Sequence, residues 1–332
     1  MIHIAVHFSQ YPERVRSDLM QCLQTRTVRH KFHYDSYKQA QKWLMLHEAY
    51  SPARNDPGCL EIYNQAFAHV ANLFHNTSVH VIGLGCGGGH KDAALLEQLS
   101  LWRSRPTREK PPSSVYTAVD VSMPLVVAAQ ERARQFTSAT HGVISDLEIG
   151  HDLGETLRGP EVSGDASVPR IFTFFGMIPN SEPDVILPRL RQLLACDDVL
   201  LVNANLAPGS DYMSGVQQVL PQYDNPLTAD WLLTLLYDLG VQCQDGELKF
   251  RVEKCPCELL RIRADFTFTA PRAISFDTQV FKFVPGDAIR LFYSYRYTPE
   301  LLEKTLAAHN FAIGERWIAP SGEEGIFVVK GR

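Results

Sequence analysis

The strongest chemical signal in the chain is HVIGLGCGGGHKDAALLEQL, in which five glycines, Gly83, Gly85, Gly87, Gly88 and Gly89, separate a short apolar strand from an apolar helix. Glycine at such a junction lets the backbone turn tightly, and the amides opening the helix then point at the polar part of a nucleotide-like ligand. The spacing can be read formally as the dinucleotide fingerprint G-x-G-x-x-G through Gly83, Gly85 and Gly88. The next strand separates the two readings. Its acid, Asp120, stands 33 positions after Gly87, whereas a dinucleotide site carries one about 20 residues on. A carboxylate there accepts hydrogen bonds from both ribose hydroxyls, and the longer spacing suits S-adenosylmethionine better than a nicotinamide cofactor. A glycine-rich turn without a ligand is the plain alternative.

Two further loops carry chemistry. Asp146 follows GVIS and could accept from an adenine amino group, with Leu147 covering the ring; a solvated loop acid or a helix cap is the competing role. The segment FFGMIPNSEPD contains Asn180, whose side chain has a donor and an acceptor and can hold a substrate ammonium or carboxylate beside the methyl group. A turn or N-cap role before PDVIL competes, and Ser181 or Asp184 could take that cap instead. Methyl transfer from a sulfonium to an amine needs a free lone pair, alignment and exclusion of water, and no metal.

These loops are placed by an alternation of strands and helices. From Val79 the chain reads VHVIGLG, a helix over 91–101, SVYTAVDV, a helix over 123–133, HGVISDLEI, then PRIFTFFGMI, a helix over PDVILPRLRQLLA, and DDVLLVNANL. Five apolar strands with intervening helices predict a doubly wound parallel sheet with both faces covered, whose ligands bind at the strands' carboxyl ends. Residues 157–168 read as a polar surface excursion. Before the sheet come helices over 11–30 and 36–48, and Pro52 and Pro57 bracket a loop. After Pro208 the texture changes to a helix ending at Gly240 and to period-two strands, GELKFRVEK and ELLRIRADFTFTA, which are antiparallel in character. A last helix and two strands around Ser321 and Gly322 are expected to return to the first sheet, by fold analogy. The predicted organisation is a donor-binding domain of residues 61–206 plus 298–332, and a discontinuous α+β substrate domain of residues 11–60 plus 207–297.

Composition narrows the function classes. The 332 residues are 45% hydrophobic and 21% charged, enough to bury a core. The net charge is -5 and the basic residues are dispersed, so nucleic acid is not an expected partner. No apolar run approaches the roughly 18 residues of a membrane span, and the N-terminus lacks the apolar core of a secretion signal. A cytoplasmic location is expected. The seven cysteines have no disulfide-framework spacing, and Cys255-Pro256-Cys257 is one residue tighter than the metal-binding CxxC.

Five segments, in order, resemble the histidine-specific methyltransferase family, whose best-known members make the trimethylated histidine precursor of ergothioneine and which includes a fungal N-methyltransferase acting on a prenylated tryptophan. KFHYD at 31–35 resembles the family's K-x-F-Y-D, and EAYSPARND at 48–56 its E-Y-Y-P-T-R-T-E. IGLGCGGGHKDAALL, with Lys91, resembles E-L-G-S-G-S-S-x-K-T, and FGMIPNSEPD resembles G-S-x-I-G-N-F-x-P. YDNPLTADWLLTLL at 223–236 resembles Y-D-D-x-x-G-V-T-A-x-F-N. The resemblance implies a class I methyltransferase sheet, S-adenosylmethionine as donor, and donor contacts at Gly85, Cys86, Gly87, Lys91, Asp120, Val121, Ser122, Asp146 and Leu147.

For the acceptor it implies that Asn180 grips the amino group, that Tyr50, which matches a family tyrosine, joins Asn180 as a catalytic and substrate-binding residue, and that Tyr34 lines the approach. In members acting on histidine, I-H-x-E-x-S supplies a glutamate and a serine to the imidazole. This chain reads Ile289-Arg290-Leu291-Phe292-Tyr293-Ser294, so Phe292 stands for the glutamate and Ser294 alone remains; Leu232 replaces the asparagine of F-N. An imidazole left unpartnered would lose roughly 1 to 3 kcal/mol per group. Histidine is therefore disfavoured, and a less polar or aromatic side chain, stacking with Phe292, Tyr293, Tyr295 and Trp231, is expected. The expected activity is N-methylation of an amino acid or related small amine other than histidine. O- or C-methylation of a specialised metabolite, and a catalytically silent partner subunit, are the alternatives.

Overall fold

The computed structural model describes residues 3–103, 113–137, 139–158 and 168–332. Two compact units divide the chain: Met1–Gln10, Pro52–Leu206 and Thr298–Arg332 form the first, Tyr11–Ser51 and Ala207–Tyr297 the second. Residues 52–60, expected in the substrate domain, instead belong to the first unit. The reason is local. Pro52–Asn55 (α3) and Pro57–Leu73 (α4) are helices, the Asp56 carboxylate caps α4 through the amides of Gly58 (2.7 Å) and Cys59 (3.0 Å), and Ala53 and Cys59 enter the first unit's core. Proline is pre-shaped for a helix's first turn, so the two prolines that read as loop brackets start helices.

The first unit is built on an eight-stranded sheet. Its strands are β1 (His3–Val6), β2 (Val79–Leu84), β3 (Ser114–Asp120), β4 (Ala139–Ile144), β5 (Arg170–Phe174), β6 (Val199–Asn205), β12 (Phe311–Ile318) and β13 (Glu324–Gly331), in the order β1-β4-β3-β2-β5-β6-β13-β12. The β1-to-β6 pairings are parallel, and β13 and β12 join antiparallel as the sequence suggests. Strand order reverses between β2 and β5, which puts the switch-point crevice between the glycine loop and the Asn180 loop. Every residue of β2 is buried, as a strand covered on both faces requires. β1, short and partly exposed, adds an edge strand beyond the five read from the sequence. Most of the excursion read at 157–168, residues 159–167, lies outside the described residues.

The helices beside this sheet that bear on the site are α5 (His90–Arg103), α6 (Met123–Ala133), α7 (Leu153–Arg158) and α8 (Pro183–Leu193). Gly89, at φ +69°, stands where a Cβ would fall 2.6 Å from the Ala129 Cα. Only glycine lets the start of α5 lie that close to α6.

In the second unit, α1 (Pro12–Thr25) stops five residues short of the predicted end because Arg26 turns left-handed at φ 53°. The unit adds α2 (Tyr37–Tyr50), α9 (Tyr212–Val219), α10 (Pro226–Asp238), a three-stranded antiparallel sheet of β7 (Gly246–Lys254), β8 (Leu260–Phe268) and β11 (Ala288–Arg296), and the hairpin β9 (Arg272–Phe276) and β10 (Gln279–Phe283). Its main core joins Leu23 and Phe32 to Trp231, Leu232, Phe266, Phe268 and Phe292, so residues from both of its chain segments pack together. α2 is started by a capping box: the Ser36 hydroxyl accepts from the Gln39 amide at 3.2 Å, and the Gln39 side chain accepts from the Ser36 amide at 3.1 Å. Ser36→Ala is predicted to lower the stability of this unit by about 1 kcal/mol; an unchanged urea midpoint would show that the box contributes nothing.

Candidate functional site

At the carboxyl end of the first sheet the loops after β2, β3 and β4 hold the residues expected to bind the donor, and the loop after β5 holds Asn180, expected to bind the acceptor. Gly85 and Gly87 have φ of 66° and 51°, left-handed values that ordinary side chains resist. A Cβ on Gly85 would lie 2.5 Å from the Met177 side chain, so that glycine also lets the loop after β5 close down on the glycine loop. Asp120 ends β3 and fixes both neighbours: Oδ2 accepts from the Gly87 amide and Oδ1 from the Ser122 amide, each at 3.0 Å. Burial pushes its carboxyl up to about 6, against the opposing pull of those amides.

Cys86 follows Gly85 in the same loop, and burial raises its thiol well above the usual range, so it stays protonated. Val121 and Ser122 continue from Asp120, and Ser122 starts α6 without a side-chain cap bond. Asp146, 3% exposed, follows β4; its amide donates to Ser9 Oγ (3.0 Å) and its Oδ1 accepts from the Glu148 amide (2.9 Å), with Leu147 buried beside it. Ser9 in turn is tied to His7 Nδ1 (2.8 Å), and His7 Nε2 to Asp152 (2.8 Å), so the N-terminal segment braces the Asp146 loop.

Three polar side-chain atoms in these loops are buried without a hydrogen-bond partner: the hydroxyls of Ser122 and Ser145, and the carbonyl oxygen of Asn180. Buried polar groups are nearly always paired, so a group of orphans at the ends of β3, β4 and β5 is what a site shaped for a polar ligand leaves behind. The glycine turns, the buried carboxylate of Asp120 and the two hydroxyls fit the nucleoside of a donor such as S-adenosylmethionine. Asn180 lies in a short turn, Ile178–Asn180, and its Nδ2 donates to the Gly176 carbonyl at 3.0 Å. It does not cap α8, whose N-cap is Glu182 without a side-chain capping hydrogen bond.

Lys91, expected to contact the donor, is engaged in a buried network that sequence reading missed. Its ammonium donates to the Tyr63 hydroxyl (2.6 Å) and lies 3.7 Å from Glu324 Oε1. Glu324 also accepts from the Tyr63 hydroxyl, Asn203 Nδ2 (2.9 Å) and the Cys59 thiol (3.3 Å), while Asn203 Oδ1 accepts from the Gly176 amide at 2.5 Å. Burial opposes the charge on Glu324, but Lys91 and these hydrogen bonds outweigh it and hold the carboxyl below its usual range. Burial, reinforced by Glu324, keeps Tyr63 a neutral donor. A lone acid beside a hairpin turn gave no sequence signal for this role.

Most of the residues expected on the acceptor side belong to an aromatic group in the second unit. Trp231 lies 5.4 Å from Tyr34 and 5.9 Å from Phe292, ring centre to ring centre, and Phe292 stacks on His30 at 5.0 Å. Phe292 follows a register shift between Arg290 and Phe292 in β11. Ser294 joins the group through Tyr223, whose hydroxyl donates to Ser294 Oγ at 3.1 Å. His33, also missed, is fully buried: Nε2 donates to the Leu291 carbonyl at 2.7 Å, its own carbonyl accepts from Trp231 Nε1 at 2.8 Å, and burial lowers its pKa to about 4, so it is neutral. Tyr50, the last residue of α2, is 52% exposed and stands outside this buried group.

The family model for histidine-specific, SAM-dependent methyltransferases matches residues 15–330. No curated protein sequence matches significantly. Among solved structures, the chain is similar to an S-adenosylmethionine-dependent methyltransferase from Clostridium acetobutylicum ATCC 824, at 13% identity and a TM-score of 0.43, over 87% of this chain and 98% of that one. It is similar to the 1,6-didemethyltoxoflavin-N1-methyltransferase of Burkholderia thailandensis at 14% identity and a TM-score of 0.41, over 89% and 88% of the two chains. For the magnesium protoporphyrin IX methyltransferase of Synechocystis PCC 6803 the values are 10% and 0.42, over 89% and 95%. Among the described residues no helix is long and apolar enough to cross a membrane, and no cluster of three or more metal-ligating side chains occurs.

The raised carboxyl of Asp120 sets a pH dependence. Its ionised form accepts hydrogen bonds and its protonated form loses acceptor capacity, so affinity for S-adenosylhomocysteine is predicted to fall as pH drops through about 6. Calorimetric titration from pH 8 to pH 5 reads this, and Asp120→Asn should flatten the profile; an unchanged profile in that variant would assign the dependence to another group.

Proposed function

Because the chain belongs to the histidine-specific, S-adenosylmethionine-dependent methyltransferase family, and is therefore a methyltransferase acting on a small molecule, we propose that it methylates the amino nitrogen of an amino acid or related small amine whose side chain is not an imidazole. The observation that carries the proposal is the buried, unpartnered carbonyl oxygen of Asn180, whose amide nitrogen is already committed to the Gly176 carbonyl. That division of labour leaves only an acceptor on offer, and an N–H of an amine satisfies it.

S-adenosylmethionine supplies an electrophilic methyl group on a sulfonium. Gly85, Cys86, Gly87, Asp120, Val121, Ser122, Asp146 and Leu147 are assigned to hold it, with Lys91 fixing the start of α5. Asn180 orients the acceptor nitrogen, whose lone pair takes the methyl group as the carbon–sulfur bond breaks; the proton given up by the ammonium passes to solvent. Deprotonation must precede transfer, so the rate should rise with pH through the pKa of the bound amine.

Trp231, Phe292 and Ser294 are assigned to the acceptor's side chain, Tyr34 to its approach, and Tyr50 to the substrate beside Asn180. The apolar ring of Phe292 and the fully buried Leu232 offer an imidazole no hydrogen bond, which supports an aromatic or apolar side chain. The same observation favours a second reading, methylation of a hydroxyl or carbon on a specialised metabolite, because an aromatic wall selects for shape and leaves the reacting atom open.

Purified protein given isotopically labelled donor and a panel of histidine, tyrosine and tryptophan derivatives should label an amino nitrogen in an aromatic acceptor, with histidine used poorly. Asn180→Ala should lower turnover by about 10- to 100-fold, the equivalent of a lost hydrogen bond to a charged group. Phe292→Glu should move preference toward imidazole or polar side chains. Label on oxygen or carbon would select the second reading; efficient use of histidine by the wild type, or full activity in Asn180→Ala, would refute the first.

A further inference from the structure

A second buried acid stands under the glycine loop. Asp92, in the first turn of α5, is 3% exposed. Its Oδ2 accepts from the Tyr116 hydroxyl of β3 at 2.7 Å and its Oδ1 from the Thr173 hydroxyl of β5 at 2.6 Å. Desolvation by burial raises its pKa, against the pull of those two hydroxyls and Lys91. One helix carboxylate thus ties together the strands on either side of β2. Tyr116 and Thr173 each lie a few residues before a loop of the donor site, those of Asp120 and of Gly176.

Across from Asp92 on β2 stands Gly83, where a Cβ would fall 2.2 Å from the Asp92 Oδ2 and 3.0 Å from the Tyr116 hydroxyl. Gly83 is not among the glycines with positive φ, so space rather than backbone conformation demands glycine here. Any side chain at 83 must therefore exclude the Asp92 carboxylate from its position.

We propose that Asp92 is the positioning carboxylate of the donor site, delivered from α5 into the space that Gly83 leaves on β2. The inference rests on the donor site assigned above. Asp92 touches no reacting atom; by holding the Tyr116 and Thr173 hydroxyls it keeps α5 and the ends of β3 and β5 in register, and so keeps the amides of the glycine loop aimed.

The test is a reciprocal swap in the full-length protein, with S-adenosylhomocysteine affinity by calorimetry and the thermal unfolding midpoint read on each variant. Asp92→Thr is expected to weaken binding about tenfold, in the range of couplings measured between contacting residues, and Asp92→Asn, which keeps the shape, by less. Gly83→Glu alone places a second acid and a steric clash at the same point and should abolish binding. Gly83→Glu combined with Asp92→Thr should recover affinity to within about threefold of wild type. A purely structural role would lower the midpoint of Asp92→Thr while leaving the affinity of the folded protein unchanged, and that result overturns the proposal. A double variant that is unfolded, or binds no better than the weaker single variant, overturns it too. If wild type itself does not bind S-adenosylhomocysteine, the donor-site assignment fails and the inference with it.

Discussion

The carboxyl end of the first sheet depends on burying a charge, Glu324, among partners from distant parts of the chain. A buried carboxylate is tolerated only when its charge is matched and its lone pairs are filled, and removing one partner of such a pair typically costs about 3 to 5 kcal/mol. Lys91 at the start of α5, Tyr63 and Cys59 on α4, and Asn203 on β6 provide the match. Because Asn203 also accepts from the Gly176 amide, the same cluster that steadies the glycine-loop helix steadies the loop that carries Asn180. The terminal antiparallel strand β13 is therefore part of the site's scaffold as well as the sheet's closing element.

Against this well-satisfied network the unsatisfied atoms stand out. The hydroxyls of Ser122 and Ser145 and the carbonyl of Asn180 are buried and unpaired, while Asp120 shows both of its oxygens bonded to loop amides. Unpaired groups gathered at neighbouring strand ends mark where local rules give way to function. Their location at the carboxyl ends of β3, β4 and β5, the last of which adjoins the reversal of strand order, agrees with the general position of ligand crevices in open sheets.

What the sequence disclosed was whatever is encoded locally. The glycines of 83–89, Asp120 at a strand end and Asn180 in a turn all sit in short segments whose residue types dictate their geometry. What it hid was assembled by topology: Glu324 reads as one more acid at a hairpin, Tyr63 and Asn203 as core residues, and nothing in the order of the chain says that they meet. Asp92 reads as an ordinary first-turn helix acid, and its meaning emerges only when the space above Gly83 is seen. Pro52 and Pro57 misled for a related reason, since proline opens helices as readily as it ends them and the Asp56 cap decides between the two. In the second unit the periodicity of β11 made Phe292 conspicuous, but its neighbour His33 came from a segment that carried no such pattern.

We propose that the loops ending β2, β3 and β4 hold the donor, while Asn180, in the loop after β5, presents an acceptor oxygen to the substrate amine. A crystal structure with S-adenosylhomocysteine tests it most directly. The ribose hydroxyls should lie on the Asp120 carboxylate, the nucleoside against Ser122 and Asp146, and the sulfur facing the Asn180 carbonyl oxygen. A nucleoside bound elsewhere, with Asp120 still bonded only to the amides of Gly87 and Ser122, would contradict it.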